Sequence, residues 1–291
     1  MSKHLPDLIA SYFTIAGDTE MEMVGGTEIS PYAPRDRIEM AAQAGFKGIG
    51  FGDKDLRFWL TKYSRAEIRG MLADSGIEYL EIDGIYDWYS PHDRAKNDAI
   101  IDEVYGWAAD LGACQVKAVT SFTGDRFPHD DLVERWARLC ERAAAAGTRA
   151  ILEPMPPATL KTPQEGLAVV QDAGATNGGL LIDIWHVDRA GIDYESLRDL
   201  PSEWIGGVEL GDAAKELVNG DLVDDGFNHR QMPGQGELDV VGFIRAILAT
   251  GYTGPFGSEV FSIKNRARTL EQAVSDNYAA AIGVLAAAVA V

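Results

Sequence analysis

Short apolar segments alternate with longer amphipathic ones along the whole chain. The segments with helical spacing include residues 34–45, which end at Gly45, and residues 64–76, where Ser64 and Glu67 have the spacing of a capping box. The apolar, β-prone runs predict eight strands, at 8–16, 46–52, 77–85, 113–121, 149–155, 179–187, 204–210 and 254–261. Eight strand–helix units in 291 residues predict an α/β fold, a (β/α)8 barrel that forms a single domain over residues 1–291.

An open, doubly wound sheet that binds a dinucleotide is the main alternative. That fold needs a glycine-rich turn directly after the first strand, but residues 15–18 read IAGD and contain no G-x-G-x-x-G. The chain also lacks a G-x-S-x-G elbow, a P-loop, an H-E-x-x-H segment and the cysteine spacing of a zinc site. These absences favour the barrel and exclude the chemistries that depend on those motifs.

Acidic residues end four successive predicted strands in the second half of the chain. They are Glu153, Asp183, Glu209 and Glu259. In a barrel the carboxyl ends of the strands surround one cavity, so the four side chains converge there. Crowded carboxylates repel one another unless a cation is present, and hard divalent ions prefer oxygen ligands. The alternative for any one of these acids is a helix cap or an ion pair; the set of four predicts a metal site at the barrel mouth.

Other residues near the predicted strand ends suggest substrate contacts. His186, three residues after Asp183, is a candidate for substrate binding or acid–base work. Lys117 in the fourth strand and Glu81 in the third are either proton carriers or members of ion pairs. Trp88 follows the third strand, where an aromatic ring either covers a sugar face or belongs to the core.

The connection over residues 212–238 is unusually long and leaves from the face that carries barrel active sites. It contains His229 and Arg230 just before a Pro-Gly turn at 233–234. An arginine there can reach over the cavity and hold a hydroxyl or carboxylate of the substrate.

Net charge and composition limit the partners. A formal charge of −19 opposes binding to nucleic-acid phosphates and to anionic lipid, so neither nucleic acid nor membrane is expected as a partner. Two cysteines, Cys114 and Cys140, form no disulfide framework, which favours a reduced, cytoplasmic setting. The apolar segment 279–291 is too short to span a bilayer and is expected to be a last helix packed on the barrel or on a neighbouring subunit.

Five sequence segments resemble those of the xylose isomerase-like TIM barrels. They are ILEP around Glu153, IDIWH at 182–186, VELGD at 208–212, R-x-x-P-G-x-G at 230–236 and SEV around Glu259. This family includes ketose 3-epimerases, inosose dehydratases and isomerases, 3-dehydroshikimate dehydratases and, more distantly, endonuclease IV. The resemblance covers essentially the whole chain and implies a TIM barrel.

The resemblance also implies one divalent metal ion held by Glu, Asp, His and Glu from strands five to eight. Glu153, Asp183 and Glu259 match three of these residue types, whereas Glu209 stands where many members carry His. A site of four carboxylates favours Mg²⁺ or Mn²⁺ over Zn²⁺. The same resemblance implies that Glu153 and Glu259 move protons and that His186 and Arg230 hold substrate oxygens. Trp88 and Lys117 are further candidate substrate contacts because of their positions near the strand ends.

The leading expectation is a divalent-metal-dependent isomerase or epimerase that acts on a sugar or keto-sugar through a metal-stabilised enediolate. The alternative is a lyase, a dehydratase or β-eliminase of a keto-sugar or keto-cyclitol. Endonuclease IV-like DNA repair is disfavoured because that site uses three zinc ions and many more histidine ligands, whereas this chain has five histidines and a charge of −19. A non-catalytic binding barrel is the remaining possibility. The expected partner is a small carbohydrate, and a homodimer or homotetramer is compatible with the apolar last helix.

Overall fold

Eight parallel strands close into a barrel in the computed structural model, which describes residues 5–90, 92–122 and 127–290. Each strand pairs with the next one along the chain, and the last pairs with the first. The strands are β1 (Leu8–Ala10), β2 (Gly48–Gly52), β3 (Tyr79–Ile85), β4 (Gln115–Val119), β5 (Arg149–Glu153), β6 (Gly178–Asp183), β7 (Ile205–Leu210) and β8 (Phe256–Ser258). The predicted (β/α)8 barrel is confirmed.

Helices follow the strands in alternation. They are α1 (Tyr12–Ile15), α2 (Pro34–Ala44), α3 (Asp53–Trp59), α4 (Arg65–Asp74), α5 (Arg94–Leu111), α6 (His129–Ala145), α7 (Pro163–Ala173), α8 (Ile184–Arg189), α9 (Leu222–Asn228), α10 (Val240–Ala249), α11 (Ile263–Arg266) and α12 (Leu270–Val289). Short 3₁₀ segments occupy Glu22–Val24, Tyr194–Asp199, Ser202–Trp204 and Val218–Gly220. No helix in the described part of the chain is long and apolar enough to cross a bilayer.

The predicted helix signals at α2 and α4 are present. Gly45 ends α2 with φ of 114°, a left-handed conformation that glycine adopts without a Cβ clash. The Ser64 side chain accepts a hydrogen bond from the Glu67 backbone N–H, and the Glu67 carboxylate accepts one from the Ser64 N–H. This capping box fixes the start of α4 as expected.

Two predicted strands are too long, because each apolar run contains a short buried helix. Residues 8–16 divide into β1 and α1, and residues 179–187 divide into β6 and α8. At the second break the Asp183 carboxylate accepts a hydrogen bond from the His186 backbone N–H at 3.0 Å, and so caps α8. Apolarity alone does not separate a buried strand from a buried helical turn.

A buried ion pair joins α2 to α3 beside the barrel. Arg37 and Asp55 are both fully buried, and the Arg37 Nη2 donates to Asp55 Oδ2 at 2.5 Å. The other Asp55 oxygen accepts from the Ser30 backbone N–H at 2.9 Å and from the Trp59 Nε1 at 3.1 Å. One carboxylate therefore holds two helices and the loop between α1 and α2.

Candidate active site

The barrel brings the four predicted acids into one cluster. Glu153 and Asp183 end β5 and β6, Glu209 is the penultimate residue of β7, and Glu259 directly follows β8. All four are buried, and one oxygen from each lies within 4.8 Å of the others. Their convergence follows from the barrel, while their role as metal ligands stays a prediction.

Three neighbours fix the orientation of Glu209. The Ser11 Oγ donates to Glu209 Oε1 at 2.8 Å, and the Lys117 Nζ donates to the same oxygen. A Cβ at Gly257 would lie 2.9 Å from the Glu209 Cγ, so only glycine leaves room for this side chain. Glu209 Oε2 is buried and has no hydrogen-bond partner among the described residues. An unpartnered carboxylate oxygen inside a cluster of four acids fits a hard divalent cation.

Arg230 reaches the cluster from the 212–238 connection. Its Nη1 donates to Asp183 Oδ2 at 2.9 Å and to Glu259 Oε2 at 3.1 Å. Its guanidinium also lies over the Trp185 ring, 4.8 Å from the centroid. The arginine therefore neutralises part of the acidic charge and forms part of the cavity wall.

Asp212, the first residue of that connection, holds the far end of the connection in place. Its Oδ1 accepts from the Leu238 N–H at 3.0 Å, and its Oδ2 accepts from the Gly234 N–H at 2.9 Å. A Cβ at Gly236 would lie 2.3 Å from Asp212 Oδ1. The Asp212 carboxylate and the glycine-rich turn thus form one compact joint, which we call the Asp212 clamp.

His186, on α8, contacts the cluster as a neutral imidazole. Its Nε2 lies 3.1 Å from Glu153 Oε1, within hydrogen-bond distance. Burial lowers the pKa of His186 to about 3, with Arg230 and Lys117 acting in the same direction and Asp183 opposing them. The Nδ1 is buried without a partner in the described chain, which leaves one ring nitrogen for a substrate group.

A pocket opens over Glu153, His186, Arg230 and Glu259. One part of its lining is apolar and another is polar, a combination that suits a small molecule with hydroxyl groups and a carbon face. The lining includes Phe13, Met21, Val119, Phe122, Met155, Trp185, Phe227 and Phe261, together with Asp83, Tyr86, Glu153, His186, Arg230 and Glu259.

Two residues predicted to contact substrate are not brought to this pocket. The Trp88 ring packs edge-to-face against Trp136, with centroids 5.3 Å apart, and Trp88 is 6% exposed. Lys117 is 1% exposed and makes its contacts within the acidic interior of the barrel. Neither side chain therefore forms part of the pocket lining. His229 likewise pairs with Asp224 at 3.1 Å, so only Arg230 of that pair faces the cavity.

Tyr86 is a pocket residue that the sequence analysis missed. It is the first residue after β3 and lies two positions before Trp88, whose larger ring made it the more prominent candidate. Burial, together with the charges of Asp83 and Glu28, raises the pKa of Tyr86 well above its usual value. The phenol therefore stays protonated and can donate. The available signal was its position at the carboxyl end of a barrel strand.

The metal-free protein is expected to lose stability as pH rises from about 4.5 to about 8. Burial is the largest cause that raises the pKa of Glu153 and of Glu259 to about 8, from an ordinary value of 4.5. Between these values the folded protein keeps protons that the unfolded chain has released, so rising pH favours unfolding; above the folded pKa the loss stops. His186, whose pKa is lowered from its ordinary value of 6.5, acts in the opposite sense below that value, so the loss is steepest between about 6.5 and 8. Thermal melts of chelator-treated protein across this range measure the effect.

Addition of Mn²⁺ is expected to reverse that trend if the four acids are metal ligands as predicted, because an ion at this site would bind the ionised carboxylates. The rise in melting temperature caused by Mn²⁺ should therefore grow with pH. Glu259→Gln, which removes one of the two titrating groups, should flatten the metal-free curve. A melting temperature of the metal-free protein that increases over this range would contradict the prediction.

Several known proteins resemble this chain in sequence. A sequence model of the xylose isomerase-like TIM barrel family matches residues 38–285. The chain is 29% identical over 245 residues to a 3-dehydroshikimate dehydratase of Pseudomonas putida, and 24% identical over 196 residues to an inosose isomerase of Bacillus subtilis. These alignments cover 83% and 64% of this chain and 38% and 69% of the relatives. The chain therefore spans well under half of the length of that dehydratase.

Solved structures share the fold. A structure of the IOLI protein with a bound zinc atom has a TM-score of 0.83 at 19% identity, and the superposition covers 98% of this chain and 100% of that one. An L-ribulose 3-epimerase has a TM-score of 0.73 at 21% identity, covering 98% and 96%. At these identities the likeness establishes the barrel architecture.

Proposed function

Because the chain belongs to the xylose isomerase-like TIM barrel family, we propose that it is a divalent-metal-dependent lyase that dehydrates a small polyhydroxylated ketone. The observation that supports this best is that Glu153 and Glu259, two members of the acidic cluster, line one pocket together with Tyr86. Dehydration needs a base for the proton next to the carbonyl and a neutral acid for the departing hydroxyl. The curated dehydratase at 29% identity supports the same choice.

Glu153, Asp183, Glu209 and Glu259 would hold one ion, Mn²⁺ or Mg²⁺, and when bound that ion supplies positive charge beside the substrate carbonyl. This assignment rests on the four buried carboxylates and on the unpartnered Glu209 Oε2. Zinc occurs in the IOLI protein structure; the all-oxygen donor set here favours the harder ions.

Glu153 is the proposed proton acceptor. Burial raises the pKa of its carboxyl to about 8, which suits a group that takes and returns a proton close to neutral pH, and it contacts the neutral His186 imidazole. Arg230 and the free Nδ1 of His186 position substrate oxygens. As the carbon–oxygen bond breaks, Tyr86 donates its proton to the leaving hydroxyl, which departs as water, and solvent returns a proton to the phenol.

Isomerisation or epimerisation, which the sequence alone ranked first, is the second candidate. It begins with the same proton removal but returns the proton to carbon. Burial raises the pKa of both Glu153 and Glu259 to about 8, so the pocket contains two carboxyls suited to the two proton transfers. Dehydration is placed ahead of it because Tyr86 supplies an acid that an epimerase does not need.

The two reactions give different products in deuterated buffer. We expect the Mn²⁺-loaded protein, incubated with a panel of keto-sugars and keto-cyclitols, to release water and form an enone that absorbs in the ultraviolet. Deuterium in recovered sugar without loss of water would instead assign the protein as an isomerase or epimerase. If the Mn²⁺-loaded protein catalysed neither reaction with any compound of the panel, and so gave the same result as chelator-treated protein, the proposed chemistry would be wrong.

A further inference from the structure

Lys117 lies in the middle of β4, among acidic side chains of the barrel interior. Its ammonium is 3.1 Å from Glu81 Oε1 and 3.6 Å from Asp83 Oδ2, both on β3. It also contacts Glu209 and lies 3.7 Å from Glu259 Oε1. The lysine is 1% exposed and is absent from the pocket lining, so it affects the site through its carboxylate partners.

The contacts of Lys117 link two groups of acids. Glu209 and Glu259 belong to the proposed ligand set, whereas Glu81 and Asp83 do not. Arg230, the other cation of the site, contacts Asp183 and Glu259 and makes no ion pair with the β3 acids in the described chain. Lys117 therefore compensates a part of the acidic charge that the arginine does not reach.

The contact of Lys117 with Glu209 also makes the surroundings of the two oxygens of that carboxylate different. Lys117 and Ser11 both donate to Oε1, and Oε2 is left without a partner among the described residues. A carboxylate held through one oxygen presents the other in a fixed position, which is how groups behind a metal ligand orient it. Lys117 thus neutralises part of the acidic charge and also orients the Glu209 carboxylate.

We propose that Lys117 is a positioning residue and a permanent counter-cation of the metal site, which stabilises the metal-free barrel and limits the affinity of the site for divalent ions. The inference rests on the proposed metal site. An ammonium near a bound dication repels it, and the same ammonium relieves repulsion among the carboxylates before the ion arrives. Both effects oppose metal binding, and we expect them to outweigh the orientation of Glu209, which the Ser11 hydroxyl maintains without the lysine.

A substitution that removes this charge should therefore have opposite effects on the two forms of the protein. In Lys117→Met the metal-free protein should melt at a lower temperature, because buried carboxylates lose a partner. The same variant should bind Mn²⁺ at least about tenfold more tightly, and its Mn²⁺-induced rise in melting temperature should exceed that of the wild type by about 3–5 °C. Lys117→Arg, which keeps the charge, should stay close to the wild type in Mn²⁺ affinity.

Lys54→Met is the matched control. Lys54 also bridges two glutamates, Glu22 and Glu28, at 2.9 Å each, and neither is a proposed ligand. Each of the two substitutions removes one positive charge, and each of the two lysines has at least two acidic partners. Calorimetric titration with Mn²⁺ and thermal melts with and without Mn²⁺ should show the effect for Lys117→Met only.

Equal losses of melting temperature in the metal-free and Mn²⁺-loaded forms of Lys117→Met would reduce the lysine to a plain structural residue and overturn the inference. So would an unchanged Mn²⁺ affinity, or a gain that Lys54→Met shares. If Lys117→Met does not accumulate as folded protein, Lys117→Gln gives the same comparison. Mn²⁺ binding by the variant but not by the wild type would support the inference. Mn²⁺ binding by neither protein would rule out both the inference and the proposed metal site. Equal Mn²⁺ binding by both proteins would rule out the inference alone.

Discussion

Replacement of Glu153 by glutamine is expected to lower kcat by about 10²–10⁴-fold, the usual contribution of a positioned acid or base. Glutamine has nearly the same shape but cannot accept a proton. Glu153 is the last residue of β5, and its carboxyl lies 3.1 Å from the His186 Nε2 and lines the pocket. We therefore expect no other carboxyl of the described residues to take over its role. The measurement is steady-state kinetics with the dehydrated or epimerised substrate identified by the isotope experiment.

Because Glu153 is also a proposed ligand, the metal content of each kinetic sample has to be measured. The expected result is a loss of kcat that persists at Mn²⁺ concentrations that restore full occupancy. Glu78→Gln, a change at an exposed glutamate paired only with Lys47 among the described residues, is the matched control and should leave kcat unchanged. A Glu153→Gln protein with full metal occupancy and more than about a tenth of wild-type kcat would place the base elsewhere.

Replacement of Arg37 by methionine is expected to lower the free energy of unfolding by about 3–5 kcal/mol, because it leaves the Asp55 carboxylate buried without its cation. Both members of the pair are fully buried, so water cannot take the place of the guanidinium. The Ser30 and Trp59 hydrogen bonds to Asp55 remain and offset only part of the loss. Urea unfolding of the metal-free protein measures the difference.

Arg35→Met is the matched control for that change. Arg35 lies on the same helix, exposed, and pairs with Glu39 four residues on, so its removal should cost well under about 1 kcal/mol. Replacing both Arg37 and Asp55 by apolar residues should recover part of the stability, because the uncompensated charge is gone. A loss below about 1 kcal/mol in Arg37→Met would show that water reaches Asp55 in the variant.

The barrel could be predicted from the sequence because its two repeating patterns are local. Apolar runs and amphipathic segments alternate over the whole chain, and Ser64, Glu67 and Gly45 carry their helix signals within a few residues. The division of residues 8–16 and 179–187 into a strand and a helix could not be predicted in the same way. For residues 8–16 it depends on a segment far away in the chain, because the Thr14 hydroxyl donates to the carbonyl of Ser258. For residues 179–187 the Asp183 carboxylate caps the helix, and one acid within an apolar run does not by itself mark the start of a helix.

The convergence of the four acids was predictable for a geometric reason, since strand ends in a parallel barrel must meet. The positions of Trp88 and Lys117 were not, because they depend on partners far away in the chain. Trp88 packs on Trp136 of α6, and Lys117 is drawn to Glu209, 92 residues later. A sequence places a residue near the end of a strand, but the direction of its side chain is decided by such distant neighbours.

The Asp212 clamp makes the segment between residues 213 and 233 an exchangeable cassette. Ala213 at its start and Gly234 directly after its end both donate their backbone N–H to the buried Asp212 carboxylate. Between them, α9 and the residues around it contribute Leu222, Val223, Gly226 and Phe227 to the pocket wall. Insertions or substitutions there that leave Arg230 in place, and with it the contacts to Asp183 and Glu259, change the shape of the pocket without moving the strand-borne acids. Evolution of new substrate preferences, and laboratory selection for them, therefore has a defined stretch of chain in which to act while the groups of the proposed proton-transfer chemistry are retained.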